Sequence, residues 1–100
     1  MIQIAIKNDD GADDLFASVT DLNTNPASVP LTNQAVTNLL VPFTNQRIPR
    51  GAQQPVDVEE DGSGNCLVNV HTENANDATK VKDFNNQTTN AGGVISVNVF

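Results

Sequence analysis

Pro55-Val56-Asp57-Val58-Glu59-Glu60-Asp61-Gly62-Ser63-Gly64-Asn65-Cys66-Leu67-Val68-Asn69-Val70-His71-Thr72 is the stretch that decides the fold class. Val56 and Val58 alternate with Asp57 and Glu59, the period of two that a strand shows when one face is buried and the other wet. Asp61-Gly62-Ser63-Gly64 has turn composition and predicts a hairpin loop. Beyond it the alternation returns, with Cys66, Val68 and Val70 on the core face and His71 on the opposite one. The same pattern recurs on both sides. Ile2, Ile4 and Ile6 share a face, as do Leu15, Ala17 and Val19 upstream. Downstream, residues 78–84 predict a strand, 85–93 a polar connection, and Ile95, Val97 and Val99 a closing apolar face.

Turn signals separate these segments. Asn8 to Asp14 is a loop, and Asn23-Thr24-Asn25-Pro26, Pro49-Arg50-Gly51-Ala52 and Asn74-Ala75-Asn76-Asp77 are turns. Residues 28–31 predict a short edge piece, because Pro30 cannot donate to a ladder. Residues 31–43 carry two patterns. Leu31, Ala35, Val36, Leu39, Leu40 and Phe43 fit a helical stripe with Thr32 as N-cap, whereas Val36 to Val41 fits a strand buried on both faces. Three β-branched residues favour the strand, with one short helical turn within 32–41 as the alternative. Twelve Val, five Ile and nine Thr suit pleated surfaces, and fourteen Asn punctuate them as turn chemistry. At 100 residues the chain is one domain, residues 1–100. The expectation is all-β: a single immunoglobulin-like antiparallel β-sandwich of about seven short strands.

The layout carries a resemblance. Asn45-Gln46-Arg47-Ile48 through Gly51, Val56-Asp57-Val58, Asp61-Gly62-Ser63-Gly64-Asn65 and Gly92-Gly93-Val94-Ile95-Ser96-Val97 resemble small bacterial immunoglobulin-like β-sandwich proteins, some of them studied as antigens of Gram-negative pathogens. The resemblance covers about half the chain and carries no catalytic or binding residue across. It implies a bacterial antigen or interaction module.

Composition narrows function by exclusion. Five Lys and Arg against twelve Asp and Glu give net −7, which repels phosphate backbones and anionic lipid, so no nucleic-acid or membrane partner is expected. Arg47 with Arg50 would make at most a small basic spot, and Lys80 with Lys82 would share a strand face. No apolar run approaches the roughly 20 residues of a membrane helix. Met1 leads straight into the first alternating segment with no signal-peptide pattern, and one cysteine agrees with a reducing compartment, so a cytoplasmic location is the default.

Candidate chemistry is sparse. Asp9, Asp10, Asp13 and Asp14 surround Gly11 and offer oxygen for calcium, but an acidic loop more often serves solubility. Asp57, Glu59 and Asp61 before Gly62 imitate the front of an EF-hand loop that fails at Val68, where a bidentate Glu belongs. His71 is the sole histidine, without a visible triad partner, and is read as a partly exposed strand residue. Cys66 is read as a small buried hydrophobe. Glu59 and Glu60 are adjacent and point to opposite sides of a strand, a poor glycosidase pair. No residue is therefore assigned a catalytic, cofactor or metal role, and the protein is expected not to be an enzyme. Two binding classes remain. The first is a protein–protein interaction or structural module, monomeric or weakly dimeric. The second is a carbohydrate-binding module with Phe16 and Phe100 as its only platforms.

Overall fold

The computed structural model describes residues 1–23, 32–34, 40–42 and 45–99. These form β1 (Ile2–Asn8), β2 (Leu15–Asp21), β3 (Thr32–Gln34), β4 (Leu40–Pro42), β5 (Gln46–Ile48), β6 (Gln53–Val58), β7 (Val68–Asn74), β8 (Val81–Gln87) and β9 (Val94–Val97). One sheet has the order β4-β3-β6-β1-β9, the other β5-β2-β7-β8. The protein is all-β, and among the described residues there is no helix.

The alternation sets which face is buried. Ile4 and Ile6 of β1, Val56 and Val58 of β6, and Ile95 and Val97 of β9 point inward from the first sheet. Leu15, Ala17 and Val19 of β2, Ile48 of β5, and Val68 and Val70 of β7 point inward from the second. All belong to one apolar cluster, joined by Cys66 and Val99, so the two sheets pack face to face as a sandwich. Fully burying each of these Val, Leu and Ile side chains is worth about 1.5–3 kcal/mol.

Several local expectations are corrected. The turn at Asp61–Gly64 is tight, with Gly64 N–H bonded to Asp61 O at 3.1 Å, but it does not join paired strands. β6 lies in one sheet and β7 in the other, so residues 59–67 form an arch across the core rather than a hairpin. Asp21, buried at the end of β2, accepts the N–H of Glu59 at 2.9 Å and ties the start of this arch to the second sheet. Cys66 is buried as expected but precedes β7, its N–H bonded to Thr89 O. The ladder is not antiparallel throughout, because β1 pairs with β9 in parallel, Ala5 opposite Val94 through Asn8 opposite Val97.

Lys80 lies in the turn before β8, its N–H closing on Asp77 O at 3.0 Å, so it shares no strand face with Lys82. Strand β8 runs on through Gln87, consuming the start of the polar connection at 85–93. Thr32–Gln34 and Leu40–Pro42 form the short antiparallel pair β3 and β4, with Gln34 opposite Leu40. Of the strand expected from Val36 to Val41, residues 36–39 lie outside the described residues. The helical stripe's Leu31, Ala35, Val36, Leu39 and Phe43 lie outside the described residues, as do the turn residues 24–26 and the edge piece 28–31.

Candidate functional site

The outer face of the four-stranded sheet is a grid set by register. Antiparallel pairing puts Arg47 opposite Phe16, Phe16 opposite Glu73, and Glu73 opposite Val81, a row across all four strands. With neighbouring strands about 4.8 Å apart, such a row spans about 14 Å. The Arg47 guanidinium stands 5.7 Å from the Phe16 ring centroid and is fixed by Asp14 Oδ2 at 2.9 Å. Val81, at the other end, is 53% exposed.

The next row is Ser18, His71 and Asp83, again opposite one another on adjacent strands. His71 Nδ1 meets Asp83 Oδ1 at 2.6 Å, and Ser18 Oγ accepts the N–H of Asn45 at 2.9 Å. These are the residue types of a nucleophile triad. They lie on an open face, with His71 and Asp83 side chains 49% and 60% exposed. Acyl transfer draws most of its rate from N–H donors aimed at a developing oxyanion in a site closed to water. The N–H beside Ser18 is instead bonded to the hydroxyl oxygen itself. The third row sets Thr20 opposite Asn69, whose Oδ1 accepts the N–H of Asn86 at 2.9 Å.

Asp83 is the partner that sequence reading missed for His71. The two are twelve positions apart, and only the pairing of β7 with β8 brings them together.

The acidic loop 9–14 folds against the turns at 49–52 and 75–80. Asp10, only 3% exposed, accepts the N–H groups of Ala12 and Asp13 on Oδ1, at 2.9 and 3.1 Å, and that of Val99 on Oδ2 at 3.2 Å. Those backbone donors, Ala12's foremost, hold its carboxyl below the usual aspartate range. Asp13 accepts the side-chain amides of Asn74 and Asn76, and these likewise depress its pKa. Asp14 receives the Arg50 N–H and the Arg47 guanidinium, with the same effect. Both arginines are thus engaged with this loop, Arg50 also reaching Gly11 O, and do not form a free basic spot.

Asp57, Glu59 and Asp61 do not converge. Asp61 Oδ1 closes its own turn by accepting the N–H of Ser63 and of Asn65. Glu59 and Glu60 lie past the end of β6, with carboxylates 3.7 and 2.7 Å from the Met1 amine. Among the described residues no three His, Cys, Asp or Glu side chains gather around one point. Cys66 is fully buried, and burial raises its thiol pKa. Phe16 lies on the outer face as expected, while Phe100 lies outside the described residues. No helix among the described residues is long and apolar enough to cross a membrane.

The chain matches no protein family, no curated protein and no solved structure.

Proposed function

We propose that the protein is a non-catalytic interaction module that docks a protein partner on the outer face of its four-stranded sheet. The observation that carries this reading is the in-register row Arg47, Phe16, Glu73 and Val81. It combines an arginine stacked on an aromatic ring with an exposed valine, and the His71–Asp83 pair adjoins it as a polar margin. Protein interfaces are enriched in aromatic residues and arginine at their centre, and polar groups surround that centre. Phe16 serves this reading better than the carbohydrate one, because Arg47 lies over its ring and a sugar needs the ring face open.

A photoreactive residue at Val81, and separately at exposed Ser63 in the Asp61–Gly64 turn, tests the proposal in extract of the cells that make the protein. The expected result is one adduct of discrete mass from position 81 and none from 63. Excess unlabelled protein should suppress it, and excess Phe16→Ala/Arg47→Glu protein should not. Equal adducts at both positions, or none that competes, would overturn the reading.

A further inference from the structure

The outer face of the five-stranded sheet holds a different feature, a groove of about 310 Å³. Its floor is a second in-register row, Pro55 opposite Ala5 and Ala5 opposite Val94. Gln3 stands two residues to one side of Ala5 along β1, and Gln53 two residues to the other side of Pro55 along β6. The third wall is the Gly92–Gly93 turn, tied to β1 by Gly92 N–H to Gln3 O and by Ala5 N–H to Gly93 O, at 2.9 and 3.0 Å. The groove is therefore an apolar strip between two amides, beside a turn without side chains.

Three properties of this groove define its ligand. Strand β1 is hydrogen-bonded on both sides, to β6 and to β9, so its backbone is committed and cannot receive an added peptide strand. Recognition falls to the Gln3 and Gln53 side chains, which are exposed and make no hydrogen bond to the described residues. Each carries one acceptor oxygen and two N–H donors, which matches hydroxyl groups that donate and accept together. No residue lining the groove is titratable, and the flanking rows carry one charge of each sign, Lys7 opposite Gln53 and Asp57 opposite Gln3, which favours a ligand without net charge. Its volume sits at the lower end of ligand pockets, which run from about 300 to 1,000 Å³.

We propose that this groove binds a neutral sugar unit, its C–H face on Pro55, Ala5 and Val94 and its hydroxyls on Gln3 and Gln53. The site uses no aromatic platform, and it is separate from the protein-docking face.

The test is a ¹⁵N–¹H titration of the intact protein with D-glucose, D-galactose, D-mannose and N-acetyl-D-glucosamine. Each is carried to about 50 mM, far above a dissociation constant of about 1 mM. At least one should give saturable shifts at Gln3, Ala5, Gln53, Gly93 and Val94, with the glutamine side-chain amides moving most. Gln3→Leu/Gln53→Leu, whose spectrum reports its fold directly, should weaken that sugar at least about ten-fold. Absence of saturable shifts, shifts centred on Phe16 and Arg47, or binding that survives the double substitution would each overturn the proposal. Crosslinking at Val81 is unaffected by any of these results, so the two readings fail separately.

Discussion

Gly93 shows how one missing methyl group shapes the molecule. A Cβ at that position would stand 2.0 Å from Thr89 Oγ1 and 2.9 Å from the backbone oxygen of Asn90. Rotation of Thr89 cannot relieve the second contact, because Gly93 N–H is bonded to that same oxygen at 2.8 Å. Gly93→Ala should therefore cost about 1–3 kcal/mol, the range for forced overpacking. Gly62→Ala is the control, with nothing within 4 Å of the added atom and no positive φ. It should change stability by less than about 0.5 kcal/mol. Urea unfolding of both variants checks the contrast, and equal midpoints would refute it. The sequence shows Gly92-Gly93 only as a turn signal. That the second glycine is required by its neighbour's side chain depends on a turn geometry that composition does not contain.

At the scale of the strand, alternation was readable because each sheet is covered on one side. Ile4 and Ile6, Leu15, Ala17 and Val19, Val56 and Val58, and Ile95, Val97 and Val99 all face inward as their spacing predicts. Which strands pair was not readable. Asp61-Gly62-Ser63-Gly64 has the composition of a hairpin, yet the strands on either side belong to different sheets. The arch between them is held by Asp21, nearly forty positions earlier, which accepts the Glu59 N–H. The candidate docking row and the sugar groove were hidden for the same reason, since each is a line of residues across strands and exists only once register is set.

Strand β8 adds a prediction at this scale. It is the outer strand of its sheet, seven residues long, and such edges invite pairing with another chain. Two devices guard it. Lys82 and Asp83 place charge on both faces, and the register slips between Val68 and Val70 where Asn86 takes a φ of 56°. Antiparallel pairing of two copies keeps like faces together, so the pairing that centres on Lys82 or on Asp83 sets like charges opposite each other. Lys82→Val/Asp83→Val should remove that repulsion. Sedimentation equilibrium should then give a higher weight-average mass for the variant than for the parent, rising with concentration. Unchanged mass would assign the guarding to the bulge alone.

Over the whole molecule the charge gathers at the two ends of the sandwich. Asp10, Asp13, Asp14 and Asp77 cluster at one end, and Asp21, Glu59, Glu60 and Asp61 at the other. The oxygens of Asp10, Asp13 and Asp14 are already occupied by N–H donors, so calcium would have to displace those bonds to bind. Thermal unfolding in millimolar calcium and in chelator, followed by circular dichroism, should give midpoints within about 4 °C of each other. A larger rise, equivalent to about 1 kcal/mol or more, would establish a site.

Acid should act more strongly than calcium. Asp10, Asp13, Asp14, Glu60, Asp61 and Asp77 all have pKa values below their ordinary range, because N–H donors, the Met1 amine or the Thr79 hydroxyl favour the ionised form. Unfolding releases them to ordinary values of about 3.9 for Asp and 4.3 for Glu. The unfolded chain then binds protons more readily than the folded one. The stability these groups contribute is fully present above those ordinary values and is lost as pH falls through the depressed ones. An opposing effect exists, since protonation also relieves the repulsion of a chain at net −7. That repulsion is spread over the molecule and screened beyond about 8 Å at physiological salt, while the Asp10 donors lie at 2.9 to 3.2 Å. The local bonds should win. Unfolding midpoints should be level from about pH 7 to pH 5 and fall steeply below about pH 4. Asp10→Asn, which sets an amide N–H among three backbone donors, should lower the midpoint at pH 7 and flatten the acid limb. Stability that rises between pH 5 and pH 3 would mean that global repulsion outweighs the loop's hydrogen bonds. An Asp10→Asn protein with the parent's acid limb would mean that Asp10 is not among the groups responsible.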